Sequence, residues 1–126
     1  MAYYETINLV AGDTKPEINL TLKDANTALA GQTLDPLDSD TWALINLTSV
    51  STIVVKFRLL GASTILDTLT CTVVAPATNG ECYMTWGSTT LDVAAGTYEG
   101  EIELTYSSGA VQTLYDRLKF KVRDDF

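Results

Sequence analysis

From Tyr98 onward, Tyr98, Gly100, Ile102, Leu104 and Tyr106 fall on one face of the chain, and Glu99, Glu101, Glu103 and Thr105 on the other. A period of two over nine residues is satisfied by a half-buried β-strand and not by a helix. The same alternation recurs at Glu17 to Asp24, with Ile18, Leu20 and Leu22 predicted inward. It recurs at Thr52 to Leu60, with Ile53, Val55, Phe57 and Leu59 inward. Tyr4 to Val10 reads as a first strand ended by Ala11-Gly12-Asp13. Leu66 to Val74 and Glu81 to Trp86 form a hairpin across Pro76 to Gly80, with Cys82, Met84 and Trp86 inward and Tyr83 outward. After a turn at Ser108-Gly109 the chain returns with Val111 inward first and Leu118, Phe120 and Val122 inward later, so the parity must break near Tyr115 to Arg117.

Turn signals about every ten residues and the lack of any ten-residue helical pattern predict an all-β fold. Gly96-x-Tyr98 resembles a tyrosine corner, in which a strand-initial Tyr returns its hydroxyl to the backbone just upstream. The expected architecture is a single domain over residues 1–126, an immunoglobulin-like antiparallel β-sandwich of about seven to nine strands. Residues 1–8 are expected as an N-terminal arm. Residues 25–44 carry Asn, Gly, Pro and Asp with no period, and are expected as a long surface loop of the kind that is functional or mobile.

Composition narrows the function. A chain of 126 residues with 46% hydrophobic content suits one self-sufficient core. A net charge of −8, with scattered Lys and Arg, repels polyanions, so no nucleic-acid partner is expected. No apolar run approaches a membrane span, and MAYYETINLV lacks the basic and apolar regions of a secretion signal. His is absent, which removes the commonest general base and metal ligand, and no Ser or Thr has an activating base in a known motif. No enzyme, catalytic residue or cofactor is therefore expected.

Four groups of residues are candidate sites. Asp35, Asp38 and Asp40 cluster as calcium ligands do, but lack the spacing, central Gly and closing Glu of a calcium loop; Ca²⁺ there is the one metal candidate. Glu99, Glu101 and Glu103 are spaced about 6.6 to 6.8 Å apart, too far for two of them to chelate one ion, and read as a solvated face partly paired by Arg117. Cys71 and Cys82 are expected opposite each other across the hairpin, either as reduced buried thiols or as a bridge. Tyr3, Tyr4, Trp42 and Tyr83 are candidate partner-binding residues, because Tyr and Trp offer rigid apolar area with a polar handle; the alternative is that they pack under loops. Tyr115 belongs to the same set of aromatics.

The order of these signals resembles a known family. GDTKPEINLTLKDANTA, VVKFRL, NGECYMTW, AAGTYEGEIELTYSSGAVQTL and LKFKV, in that sequence, are similar to the immunoglobulin-like domain at the N-terminus of siphophage baseplate upper proteins and related head and tail accessory proteins. Its most specific parts are Gly12-Asp13, the Gly96-x-Tyr98 corner and the Ser108-Gly109 hairpin. The segment Asp35 to Leu44 is extra to that pattern. The resemblance implies a virion structural protein of capsid or tail/baseplate, assembled in the host cytoplasm without export. Its partners would be other virion proteins, in a homo-oligomer or a lattice. A host-surface or carbohydrate-binding module using Trp42 and nearby Asp residues is the alternative.

Overall fold

The computed structural model describes residues 6–115 and 117–126. Ten strands occur among them: β1 (Ile7–Val10), β2 (Ile18–Thr21), β3 (Lys23–Ala28), β4 (Trp42–Leu44), β5 (Val50–Leu59), β6 (Asp67–Val73), β7 (Glu81–Met84), β8 (Gly96–Tyr106), β9 (Val111–Thr113) and β10 (Leu118–Arg123). Eight form one curled path in the order β1-β10-β8-β5-β6-β7-β2, with β9 beside β8; β3 and β4 pair separately. The first half of β6 pairs with β5 and its last three residues, Cys71 to Val73, pair with β7. That strand hands the sheet from one layer to the other, and the fold is an immunoglobulin-like β-sandwich. Its pairs are antiparallel save one, because β1 runs parallel to β10.

The predicted alternation is what fills the core. Ile53, Val55 and Phe57 of β5, Tyr98, Ile102 and Leu104 of β8, and Leu118, Phe120 and Val122 of β10 meet Ile18, Leu20, Cys82, Met84 and Trp86 from the other layer in one contiguous cluster. At its centre Phe57 stacks on Tyr98 (centroids 5.1 Å apart) and meets Trp86 edge-on (5.6 Å), while Trp86 also meets Phe120 edge-on (5.3 Å). Such pairs contribute about 0.5–1.5 kcal/mol each beyond burial of their area. The Trp86 indole N–H donates to the Pro16 carbonyl (3.0 Å), so no donor is stranded by this burial.

The corner is closed as expected: the Tyr98 hydroxyl donates to the Ala94 carbonyl at 2.6 Å. The hairpin after Tyr106 turns at Gly109, whose φ of 90° suits a residue without a Cβ. Its N–H donates to the Tyr106 carbonyl (2.9 Å).

Several expectations are corrected. Glu17 to Asp24 is two strands, because Leu22 turns its backbone away to Gly80 and Ile45. Residues 25–44 are not one long loop: β3 runs on to Ala28 and pairs with β4, and Ser39–Thr41 forms a 3-10 turn. This pairing is carried by backbone bonds, so KDANTA shows no hydrophobic period. Ile7 and Asn8, expected in the arm, pair instead with Phe120 and Lys121, and the rest of that segment up to Glu5 lies outside the described residues. Leu59 and Val111 are exposed, not inward. The parity break falls at Leu114, which is buried and donates its N–H to the Ile102 carbonyl.

Candidate functional site

Trp42 is a candidate for partner or glycan contact as a rigid aromatic with a polar handle, and the structure overturns that in favour of packing under the loop: it is 2% exposed. β4 turns its indole inward, and Nε1–H donates to the Asp35 carbonyl at 2.9 Å. Trp42 therefore anchors the excursion between β3 and β4 instead of presenting a face. Tyr83 lies on the outer face, level with Asn19 on one side and Thr72 on the other, and is half-buried. Tyr3 and Tyr4 lie outside the described residues. Tyr115 is open to solvent.

The three aspartates do not converge on a point. Asp35 Oδ1 accepts from the Leu37 N–H (2.9 Å) and Asp38 Oδ1 from the Asp40 N–H (3.0 Å), which are local turn bonds. Asp40 faces Lys23 at 4.0 Å. Among the described residues, no group of three or more Cys, Asp or Glu is placed to hold a metal ion.

The glutamate row is not uniformly solvated. Glu99 is 4% exposed, although its face is the outer one. Arg58, its partner across the ladder, reaches it at 2.7 Å, and Arg117 reaches its other oxygen at 3.2 Å. Register places Lys119, not Arg117, level with Glu99, so Arg117 comes in along the strand. Burial pushes the Glu99 carboxyl up. The hydrogen bond from Arg58, the charges of Arg58 and Arg117 and the Gly61 N–H more than offset this and hold it below the usual carboxylate range.

A carboxylate depressed in the folded state contributes stability that is full above its unfolded pKa of about 4.3 and is lost as pH falls through the lower folded value. Glu99→Gln is therefore expected to cost about 1–3 kcal/mol at pH 7, with the deficit closing in acid. Urea midpoints of both proteins measured from pH 7 down to about 2 check this; a deficit that stays constant with pH would show that charge is not its origin.

Cys71 and Cys82 are both free and buried. They are not directly opposed: Cys71 is level with Met84, and Cys82 with Val73. Diagonal neighbours lie about 7–8 Å apart, beyond the usual Cα span of a disulfide. The hydrogen bond to Cys82, burial and the neighbouring sulfur all push the Cys71 thiol up, while the hydrogen bond from Cys71 holds Cys82 down against burial.

Against this acidic surface, two groups of exposed apolar residues and one row of basic residues stand out. The β5–β6 turn exposes Leu59, Leu60, Ile65 and Leu66, and the β3–β4 excursion exposes Leu29, Leu37 and Leu44. The outer face of β10 carries Lys119, Lys121 and Arg123, all exposed. The spread of these residues in the sequence hides the first two groups, because exposed leucines in turns have no periodic signal. Among the described residues, no helix is long and apolar enough to cross a membrane.

No protein-family model and no curated protein matches this chain. Among solved structures, the chain is similar to the crystal structure of CopC from Methylosinus trichosporium OB3b, at 10% identity over 96% of this chain and 86% of that one, with a TM-score of 0.46.

Proposed function

We propose that this domain is a structural accessory protein of a tailed-phage virion, attached to the capsid or to the tail/baseplate, and that it acts by protein–protein docking. The order of strand, corner and hairpin motifs from Gly12-Asp13 to Leu118 is what carries this reading. The Tyr98 hydroxyl bond to Ala94, made at one of the three motifs that carry the resemblance, supports it. The surface agrees: the sequence has no His, both cysteines are buried, and apolar turns stand exposed around a packed core. Presenting fixed area to a repeated neighbour asks nothing more of the domain. The carbohydrate-binding alternative depended on Trp42, whose ring is buried.

The test is incorporation. Because Ile7 and Asn8 are part of the β1 ladder, the arm to remove is residues 1–5. The shortened domain is expected to keep its melting temperature within about 3 °C, since no described core residue is lost. It is expected to be depleted at least about tenfold from purified particles by quantitative mass spectrometry, as loss of an anchoring contact of about 1.4 kcal/mol or more would produce. Full incorporation would exclude the arm as a contact, and absence of the intact chain from particles would exclude the virion role.

A further inference from the structure

β1 and β10 enclose a cleft of about 250 Å³, lined by Asn8, Leu9, Val10, Lys121 and Arg123. Among the described residues its lining is unusual for a chain of net charge −8: two apolar residues, one amide, two cations and no acid. The pairing explains the geometry, because parallel register sets Asn8 beside Lys121 and Val10 beside Arg123. Lys121 has no ion-pair partner among the described residues. Arg123 donates to the Asp124 carbonyl (2.8 Å) and lies over the Phe126 ring (5.2 Å), which leaves further donors of its guanidinium free. A ligand for such a cleft has an apolar tip flanked by carboxylates.

The same chain carries one. In the excursion between β3 and β4, Leu37 is 68% exposed and lies in the sequence between Asp35 and Asp38, with Asp40 two residues further on, 4.0 Å from Lys23 and its side chain 92% exposed. The tip is already ordered. The Asp35 N–H donates to the Thr41 hydroxyl (2.9 Å), that hydroxyl donates to the Asp38 carbonyl (2.8 Å), and the buried Trp42 indole holds the Asp35 carbonyl. A pre-ordered tip loses little conformational freedom on docking, so more of its contact energy appears as affinity.

The geometry points to a head-to-tail contact between copies of this chain, in which Leu37 of one copy enters the β1–β10 cleft of the next and Asp35, Asp38 and Asp40 face Lys121 and Arg123. Two different patches meet, so the contact is heterologous and generates a ring or an open array. Its small area places it at the weak end of protein interfaces, and a lattice would multiply it through effective concentration. It deepens the docking reading above by naming the neighbour as a second copy.

Sedimentation of the intact protein at rising concentration, up to about 0.5 mM, tests this. The expected result is concentration-dependent association that weakens at least about fivefold as ionic strength rises from about 0.05 to 0.5 M. Leu37→Asp and the double variant Lys121→Glu/Arg123→Glu should each be folded by circular dichroism and monomeric. Mixed in equal amounts, they should form a 1:1 dimer and nothing larger, because one retains the cleft and the other the tip. A wild-type monomer under all these conditions overturns the contact, as does self-association surviving in either variant or a mixture that stays monomeric. Association that emerges only on removing residues 1–5 overturns it too, by showing the chain's own N-terminus as the occupant. No particle is present in these measurements, so their failure leaves the virion role standing, while a self-associating chain missing from particles would defeat that role alone.

Discussion

Valine in place of Gly100 is expected to destabilise the domain by about 3 kcal/mol or more, enough to leave it largely unfolded near 45–50 °C if its stability is ordinary. Gly100 sits on β8 between Phe57 of β5 and Leu118 of β10, in the middle of the widest part of the sheet. A Cβ there would lie 2.8 Å from Val55 Cγ1, 3.0 Å from Phe120 Cε2 and 3.5 Å from Leu118 Cβ. Val55 is β-branched and fully buried, and Phe120 is packed against Phe57 and Trp86, so neither has a rotamer into which to retreat. Alanine already forces a shift, and valine adds two methyl groups with nowhere to go. Glu101→Val is the control, since it places the same β-favouring side chain one residue along on the outer face and should change stability by less than about 1 kcal/mol. Thermal melts of the three proteins decide it; a Gly100→Val protein melting with wild type would mean that the two layers are looser at this point than the distances imply.

Gly100 also shows what periodicity conveys and what it omits. Its inward position follows from counting by two from Tyr98, but its need to be glycine does not, because that comes from Val55 and Phe120, distant in sequence. The core strands were legible for the same reason: one apolar face per strand is a local property. Glu99 marks the converse. Its outward parity follows from the period and its burial does not, since Arg58 of β5 and Arg117, just before β10, cover it and the Gly61 N–H comes from the turn beyond β5. The diagonal placement of Cys71 and Cys82 was lost to a register offset of two residues, which counting outward from a turn cannot supply when a 3-10 turn at Ala77–Asn79 lies within it. The candidate contacts were least legible of all. The β1–β10 cleft depends on a parallel pairing between the two ends of the chain, and no local pattern reports which strand lies beside which.

Trp42→Ala is expected to cost about 3–5 kcal/mol overall and to act first on residues 29–41. Trp42 is as buried as the central residues, and its indole N–H holds the Asp35 carbonyl, so its ring secures the excursion. Removing it deletes the donor to the Asp35 carbonyl and leaves a hole beneath the β3–β4 pair, whose other ties are backbone bonds such as Leu29 N–H to the Thr41 carbonyl (2.8 Å) and exposed or half-buried bonds of Lys23 and the Thr41 hydroxyl. Amide exchange should therefore accelerate by a hundredfold or more within 29–41, a local loss of about 2.7 kcal/mol or more, before β5, β8 and β10 are affected. Trp42→Phe, which restores most of the apolar volume without the N–H, should recover more than half of the loss, because cavity formation outweighs one neutral hydrogen bond of about 1 kcal/mol. Uniform exchange across the whole sheet would instead place Trp42 in the cooperative core. The distinction bears on function: any contact made by Leu37 needs the excursion held in shape, so in Trp42→Ala self-association should fall in step with protection of residues 29–41, while Leu37→Asp should abolish it with that protection intact.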